Sequence, residues 1–452
     1  MELTQHLPDN AEDLPSKSAP GTDADAPMPR EVPRLTEHLF RRESGRLVSM
    51  LTGIFGVEHL QLAEDVVQEA LARALRTWPY YGTPNNPTAW LMQTAKNLAL
   101  DVIRRNKMAA DKQPQIIASK EIWSGGSAEE TPPMFDDEIK DNVLRLMFVC
   151  CHPEIPADSQ SALALKTLCG FGVTEIARAF LSTDAAIAKR LTRARQLIQD
   201  LKIPFEIPSG TELAPRLDGV LQIVYLLFNE GYKASSGEHL VREDLCNEAI
   251  RLGTLLAGHP AANLPRTHAL LSLMLLNAAR LSARVDGSGS ILRLQEQDRS
   301  TWNAMMIAQG LLHLGQSAQG RDLSEYHLQA GIAACHATAR DFGSTDWSRI
   351  LAHYDQWMTI TESPVVALNR AVALAHVEGP AVGLEAVRTM QHRNQLDSYF
   401  LLHAVTGDLE RQLGRHDSAA RNFRRALQHA ELPSEREFLS KRLQECEDGR
   451  VL

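Results

Sequence analysis

Features that mark whole classes of protein are absent from this sequence. No apolar run approaches the roughly 20 residues needed to cross a bilayer, since the stretches at 220–228 and 270–276 are far too short. The N-terminus is acidic and lacks the basic and apolar segments of a signal peptide. Only six cysteines occur in 452 residues, which argues against a disulfide framework and suits a reducing compartment. We therefore predict a cytoplasmic protein that does not bind a membrane.

Motifs of the common enzyme classes are missing as well. The sequence contains no phosphate-binding loop, nucleophile elbow or HExxH motif. Cys150, Cys151 and His152 are adjacent, but three neighbouring ligands alone cannot enclose a tetrahedral metal ion. We interpret the cysteines as buried structural residues. The prediction is a protein that is not an enzyme and holds neither a cofactor nor a metal.

Acidic residues outnumber basic ones overall, but basic residues are concentrated locally. A net charge of −9 and a pI of about 6.0 do not suggest indiscriminate nucleic-acid binding. Between Lys166 and Lys202, however, seven basic residues face three acidic ones. Any contact with DNA must therefore come from such a local patch.

Two segments without apolar periodicity divide the chain. Residues 1–30, rich in Asp, Pro, Ser and Ala, predict a disordered tail, and residues 108–134 predict a linker. Helical periodicity elsewhere predicts an all-α protein. It consists of two small helical domains at 35–107 and 135–203, followed by a helical C-terminal extension at 213–452.

The C-terminal extension carries an internal repeat. Small and aromatic residues stand at offsets of 7, 12, 16 and 19 from the first, the spacing of a tetratricopeptide (TPR) unit: Gly407, Gly414, Ala419, Phe423 and Ala426. A looser copy around Gly379 precedes it by 35 residues, whereas residues 213–363 show helices without the repeat. Small residues let paired helices pack closely, and stacked pairs form a concave surface that usually binds protein. We predict a TPR-like solenoid.

A basic helix pair at 174–199 is the first candidate functional element. In its second helix, four apolar residues recur at the helical period and predict a buried face: Ile187, Leu191, Ala194 and Ile198. Ser182 or Thr183 can cap this helix, and Lys189 and Arg193 fall on its opposite face. This is the pattern of a DNA-reading helix–turn–helix, although a solvated amphipathic helix pair has the same spacing.

The second candidate element is an acidic surface on a helix predicted over residues 61–78, before a loop at 79–83. Its apolar residues share a core-facing side that includes Trp78. Its other side, predicted to be exposed, carries four polar residues: Glu64, Asp65, Gln68 and Glu69. On spacing alone, a solvated charged face is the simpler interpretation.

The third candidate element is a helix that ends near Arg105 and begins after Asn86, its predicted N-cap. Trp90 shares the apolar face and is predicted to be a core residue. The helix leaves four residues for solvent or a partner: Lys96, Asn97, Arg104 and Arg105.

The motif at 229–232 follows an apolar helix predicted over 220–228. Gly231 within it suits a left-handed residue that ends the helix. The alternative is a contact point between the C-terminal extension and the helices before it.

Taken together, these motifs resemble a bacterial RNA polymerase sigma factor of the extracytoplasmic-function (ECF) type, within the sigma-70 family. Residues 63–71 resemble region 2.1–2.2, residues 90–105 resemble regions 2.3–2.4, and residues 174–177 with 191–195 resemble region 4.2. The remainder is similar to the ECF group numbered 42, whose members carry a TPR-containing C-terminal extension. Residues 150–153, 228–232 and 363–371 carry that likeness. Residues 180–184 depart from the glycine-containing turn typical of ECF factors.

The resemblance implies a transcription initiation factor that binds core RNA polymerase and promoter DNA. It makes the acidic surface the dock for the clamp coiled coil of the β′ subunit, and it adds a contact with the β flap. It assigns the −10 element to Lys96, Asn97, Arg104 and Arg105 with the loop at 82–88. It assigns the −35 element to the basic helix, at Ala185, Ala186, Lys189, Arg190 and Arg193. The extension would bind a protein and regulate or scaffold the factor.

Two other classes of protein fit parts of the sequence. A one-component regulator would combine a helix–turn–helix with a helical sensor domain and bind DNA without polymerase. The acidic surface distinguishes the two, because only a sigma factor needs it. A TPR adaptor alone would leave the basic helix at 184–198 unexplained.

Overall fold

The computed structural model describes residues 31–110, 141–180, 182–203, 205, 212–233, 241–286 and 292–448. Within these ranges it contains 18 α-helices and no β-strand, which confirms the prediction of an all-α fold. The predicted tail, and all but the first three residues of the predicted linker, lie outside them. None of the described helices is both long and apolar enough to span a bilayer.

Three long helices come first: α1 (Glu31–Phe55), α2 (Leu60–Tyr81) and α3 (Pro87–Ala110). The sequence prediction is wrong at the end of α2, because the helix continues through Pro79 where a loop is predicted. Proline has no N–H to donate, and its ring crowds the carbonyl one turn earlier, but the helical bonding continues beyond it, since the Gly82 N–H bonds to the Trp78 carbonyl at 3.0 Å. Gly82 then ends the helix with a φ of +82°.

Four shorter helices follow: α4 (Asn142–Cys150), α5 (Ala157–Leu168), α6 (Val173–Ala179) and α7 (Asp184–Leu201). Thr183, one of the two predicted caps, begins α7, and its Oγ1 accepts from the Ala186 N–H at 3.3 Å. The Thr174 hydroxyl donates to Asp184 at 2.7 Å, which ties the start of α6 to the start of α7. The predicted helix pair at 174–199 is therefore present.

The extension begins with six helices: α8 (Ala214–Tyr232), α9 (Glu243–Gly258), α10 (Pro265–Ala278), α11 (Ala304–Ser317), α12 (Glu325–Thr338) and α13 (Trp347–Met358). The predicted left-handed turn at Gly231 is wrong, since α8 continues to Tyr232. A Cβ at Gly231 would lie 2.7 Å from the backbone nitrogen of Cys246. Glycine is needed here for the close approach of α8 and α9, and the contact lies within the extension.

Five helices complete the described chain: α14 (Pro364–Glu378), α15 (Pro380–Thr389), α16 (Phe400–Gln412), α17 (His416–His429) and α18 (Pro433–Asp448). A Cβ at Gly407 of α16 would lie 3.2 Å from the ring of Phe423 in α17. The two helices thus approach closely at a position where the repeat spacing places a small residue. The TPR-like identity of this part stays a prediction.

One continuous hydrophobic core joins the first ten helices. It includes Leu51 of α1, Leu71 of α2, Phe148 of α4, Leu163 of α5 and Phe228 of α8, all almost completely buried. Three smaller clusters lie farther along the extension. The helical units predicted at 35–107 and 135–203 therefore pack against each other and against the start of the extension.

The first two units approach closely where α1 meets the end of α5. A Cβ at Gly45 would overlap the carbonyl oxygen of Leu168. The side chains of Glu43 and Ser44, which precede Gly45 in α1, are also buried. Only glycine allows α1 to lie this close to α5.

Candidate nucleic-acid and protein interfaces

The acidic surface of α2 is not uniformly exposed, which corrects the sequence prediction for Glu64. That side chain is only 6% exposed. Its carboxylate accepts a hydrogen bond from the Thr167 hydroxyl at 2.5 Å and one from the Arg195 guanidinium at 2.7 Å. Glu64 stands one helical turn before the buried Val67 and two before the buried Leu71. Side chains from α5 and α7 therefore reach the Glu64 carboxylate.

The ion pair between Glu64 and Arg195 is largely removed from solvent. The Arg195 side chain is also mostly buried, and its Nε has no hydrogen-bond partner. Charge-assisted bonds are the stronger class of hydrogen bond, and removing one partner of a buried pair leaves an uncompensated charge. The pair therefore holds α2 and α7 together, in addition to the apolar core.

The other acidic-surface residues remain at the surface. Asp65 and Gln68 are exposed, and Glu69 is half-buried. Glu69 accepts from Arg73 at 3.1 Å and from Arg76 at 3.0 Å. The hydrogen bond from Arg73 lowers the pKa of the Glu69 carboxyl. The surface therefore presents a mixed pattern of charge, with Asp65 as its most accessible carboxylate.

The four candidate residues of α3 are all exposed, as predicted: Lys96, Asn97, Arg104 and Arg105. Asn97 accepts from the Gln93 amide at 2.9 Å. Asn86 caps the helix, since its Oδ1 accepts from the Ala89 N–H at 3.0 Å. Within the described ranges, none of the three cations on this face pairs with a carboxylate, so each can contact a phosphate.

Sequence reasoning missed two aromatic residues beside this surface. Tyr80 is 84% exposed and Tyr81 is 88% exposed. They stand in the last turn of α2, directly before Gly82 and the loop to α3. An exposed aromatic ring offers a face on which an unpaired base can stack. The sequence does show two consecutive tyrosines next to the loop at 82–88, which could have indicated a stacking surface. They were overlooked because Pro79 led to the prediction that this segment is a loop.

Trp78 and Trp90 lie behind this surface. Trp78 is buried as predicted, and Trp90 is half-buried against the same core. Their ring centroids are 5.5 Å apart in an edge-to-face arrangement. The two rings pack α2 against the start of α3. The loop between these helices is therefore anchored at both ends by packed residues.

The basic face of α7 is open to solvent. Ala185, Lys189 and Arg193 are exposed, and Ala186 and Arg190 are half-buried. Arg190 lies 3.7 Å from Asp158 of α5, whereas Lys189 and Arg193 have no carboxylate partner among the described residues. The opposite face is buried as predicted, at Ile187, Leu191, Ala194 and Ile198. The geometry presents basic side chains along one accessible helix face.

The cysteines are packing residues in this structure. Cys150, Cys151 and Cys169 are all free and buried in the shared core. Burial raises the pKa of the Cys169 thiol to about 12, and it raises the pKa of Cys151 further. These thiols stay protonated at neutral pH and are poor nucleophiles and metal ligands.

Two family models match parts of the chain. Sigma-70 region 2 matches residues 39–108, and a family of unknown function, DUF6596, matches residues 216–318. The sigma-70 match is thus confined to the first described helices of the chain. The matched residues lie in helices α1–α3, which carry both the acidic surface and the basic face of α3. The basic face of α7 lies outside both matched ranges.

Similar proteins match different shares of the chain: one matches along most of it, and others match about a third of it. An uncharacterized protein of Rhizobium meliloti (strain 1021) is 39% identical over 385 residues, which is 85% of this chain and 90% of that protein. The chain belongs to one family with it.

The ECF RNA polymerase sigma factor SigG of Mycobacterium tuberculosis is 25% identical over 158 residues, 31% of this chain and 42% of SigG. The ECF RNA polymerase sigma-E factor of Escherichia coli (strain K12) is 26% identical over 141 residues, 30% of this chain and 71% of that protein. No solved structure matches the chain.

Proposed function

We propose that this protein is an ECF-type sigma factor that binds core RNA polymerase and directs promoter-specific transcription initiation without enzymatic activity. The observation that carries the proposal is the exposed basic face of α3, whose cations have no carboxylate partner among the described residues, within a matched sigma-70 region 2. The similarity to two ECF sigma factors supports it.

The proposed promoter contacts lie on two helices. The α3 residues Lys96, Asn97, Arg104 and Arg105 hold the separated strand of the −10 element, and Tyr80 and Tyr81 provide stacking faces beside the loop. The α7 residues Ala185, Ala186, Lys189, Arg190 and Arg193 contact the −35 element in the major groove. The lack of carboxylate partners for most of these cations, among the described residues, supports this assignment.

The proposed polymerase contact is the acidic surface of α2, against the clamp coiled coil of the β′ subunit, with a second contact at the β flap. Asp65, Gln68 and Glu69 are available for it. Glu64 joins them only when its bond with Arg195 breaks. Polymerase binding through this residue therefore competes with the packing of α7 against α2.

The extension, of the kind found in ECF group 42, is proposed to stabilise this closed arrangement and to bind a protein ligand through its TPR-like part. The Arg216 guanidinium on α8 donates to the Phe148 carbonyl of α4 at 3.3 Å. Arg251 of α9 pairs with Asp141, the cap of α4, at 2.7 Å. Both bonds fix α4 to the extension, so a ligand that moves α8 or α9 would also move α4, which shares its core with α5 and α7.

The experiment is in-vitro transcription with purified core polymerase and a candidate promoter. The full chain should direct initiation from that promoter, and the triple variant Lys96→Ala, Arg104→Ala, Arg105→Ala should lose it. The matched control is Arg421→Ala, which removes an exposed cation from the distant α17. Failure of the wild-type chain to co-elute with core polymerase would contradict the proposal.

A one-component regulator is the second candidate, and the burial of Glu64 favours it because this residue is withdrawn from the surface that only a sigma factor needs. A gel-shift assay without polymerase separates the two functions. Tight, sequence-specific binding of duplex DNA by the chain alone, with no stimulation of transcription, would establish the regulator.

A further inference from the structure

Three arginines of the extension lie close together without a carboxylate partner among the described residues. The Arg280 and Arg284 guanidinium groups face the ring of Tyr232, at 5.6 Å and 3.8 Å from its centroid, and Arg299 lies 4.7 Å from the ring of Trp302. Their hydrogen bonds go to neutral oxygens. Arg280 donates to the Asn277 side chain, and Arg284 donates to the Tyr232 carbonyl.

His336 belongs to the same group. Arg299 donates to the His336 carbonyl at 2.5 Å and to the Ala339 carbonyl at 2.8 Å. The Nη2 of Arg299 and the Nδ1 of His336 are buried and have no hydrogen-bond partner in the part of the chain that the structure describes. Burial, with repulsion from Arg280 and Arg299, lowers the pKa of His336 to about 4. Positive charge is therefore concentrated here with few local acceptors.

A cavity of about 470 Å³ opens beside this group, between α8, α10, α12, α13 and α14. Arg280 and His336 line it, together with hydrogen-bonding side chains on three helices: Asn277, Gln329 and Asn369. Its volume is that of a small-molecule site. The lining carboxylate, Glu325, stands eleven residues before His336 on α12, about 16 Å along the helix.

We propose that this cavity binds a small anionic ligand through a carboxylate or phosphate group held by Arg280 and His336. A guanidinium group matches the geometry of either oxyanion, and a neutral imidazole can donate an N–H to it. Such an anion would supply the missing countercharge for the arginine group. This inference goes beyond the proposed function, which assigns no small molecule to the chain.

The test is isothermal titration calorimetry of the full chain at constant ionic strength, with inorganic phosphate and with succinate as the probes. Saturable binding of at least one probe is expected, and the better probe identifies the group that the site prefers. Arg280→Gln should weaken that binding at least about tenfold, because one charge-assisted hydrogen bond is lost. The control Arg421→Gln, on the distant α17, should leave it unchanged.

A second measurement does not depend on the folding of a variant. Histidine NMR of the wild-type chain should show the His336 signal moving with the same saturation curve as the heat of binding. No saturable binding of either probe, equal binding by Arg280→Gln, or a stationary His336 signal at saturation would each overturn the proposal.

Discussion

The Glu64 carboxylate and the Arg195 guanidinium lie 2.7 Å apart, although 131 residues separate them in the sequence. Glu64 belongs to the surface proposed for polymerase, and Arg195 belongs to the helix proposed for the −35 element. One bond therefore joins the two proposed binding elements. The closed arrangement that results must open before Glu64 can contact another protein.

Replacing Arg195 should destabilise the protein. Arg195→Ala removes one partner of a nearly buried ion pair, and we expect a loss of about 3 kcal/mol in the free energy of unfolding. Urea unfolding followed by circular dichroism measures it. Arg193→Ala is the control, because that side chain is exposed and unpaired among the described residues, and a change within about 0.5 kcal/mol is expected. Equal effects of the two substitutions would show that the ion pair contributes little.

Inserting a methyl group at Gly45 should separate α1 from α5. In Gly45→Ala the new Cβ would overlap the Leu168 carbonyl oxygen, which belongs to the backbone and cannot rotate away. We expect a loss of roughly 1–3 kcal/mol in unfolding free energy, together with tighter binding to core polymerase. The control is Gly258→Ala, at the end of α9, where nothing lies within 4 Å of the added atom. A destabilised Gly45→Ala that binds polymerase no better would contradict the competition between closure and binding.

The exposed tyrosines should bind unpaired bases. Tyr80→Ala and Tyr81→Ala are each expected to weaken binding of a single-stranded −10 oligonucleotide to the polymerase complex, by about 1–3 kcal/mol per stacked base. Fluorescence anisotropy measures the affinity. Phenylalanine at either position keeps the ring face and should retain binding. A loss as large with phenylalanine as with alanine would point to the hydroxyl group instead.

The thiols should be unreactive in the folded protein. All six cysteines lie in the described part of the chain and are buried. Burial raises the pKa of Cys169 and of Cys246 to about 12 in each case, so at pH 8 both thiols remain in the protonated, unreactive form. A disulfide-exchange reagent should label no thiol rapidly in buffer and all six in denaturant. Fast labelling of the native chain would contradict the burial of this set.

Local periodicity was sufficient to predict most of the fold. The buried face of α7 follows from a single helical period, and the Asn86 cap follows from four consecutive residues. Both features depend only on residues within a few helical turns of each other, so the local sequence is enough to predict them. The exposure of Lys96 and Arg104 could be predicted for the same reason, because their neighbours in α3 define the apolar side.

Interactions between distant segments could not be predicted in this way. Glu64 is predicted to be exposed because its carboxylate is charged. It is buried because its two partners, which no local pattern indicates, come from α5 and α7. The glycines at 45 and 231 are needed where a second helix passes close by, α5 at Gly45 and α9 at Gly231, and the helical period of α1 or α8 does not indicate either contact. The arginine group of the extension draws on three separate segments, so no local motif marks it.

The packing of α8 determines where this protein can be divided into separate parts. Its apolar residues, among them Leu217, Val220 and Val224, are part of the core that α4 and α5 also fill. A chimaera joined at 205–212 would separate α4 and α5 from α8. The apolar residues on each side would then lose the residues they pack against. Helices α1–α10 share this core, so the proposed initiation factor and the start of its extension have to be exchanged and engineered together.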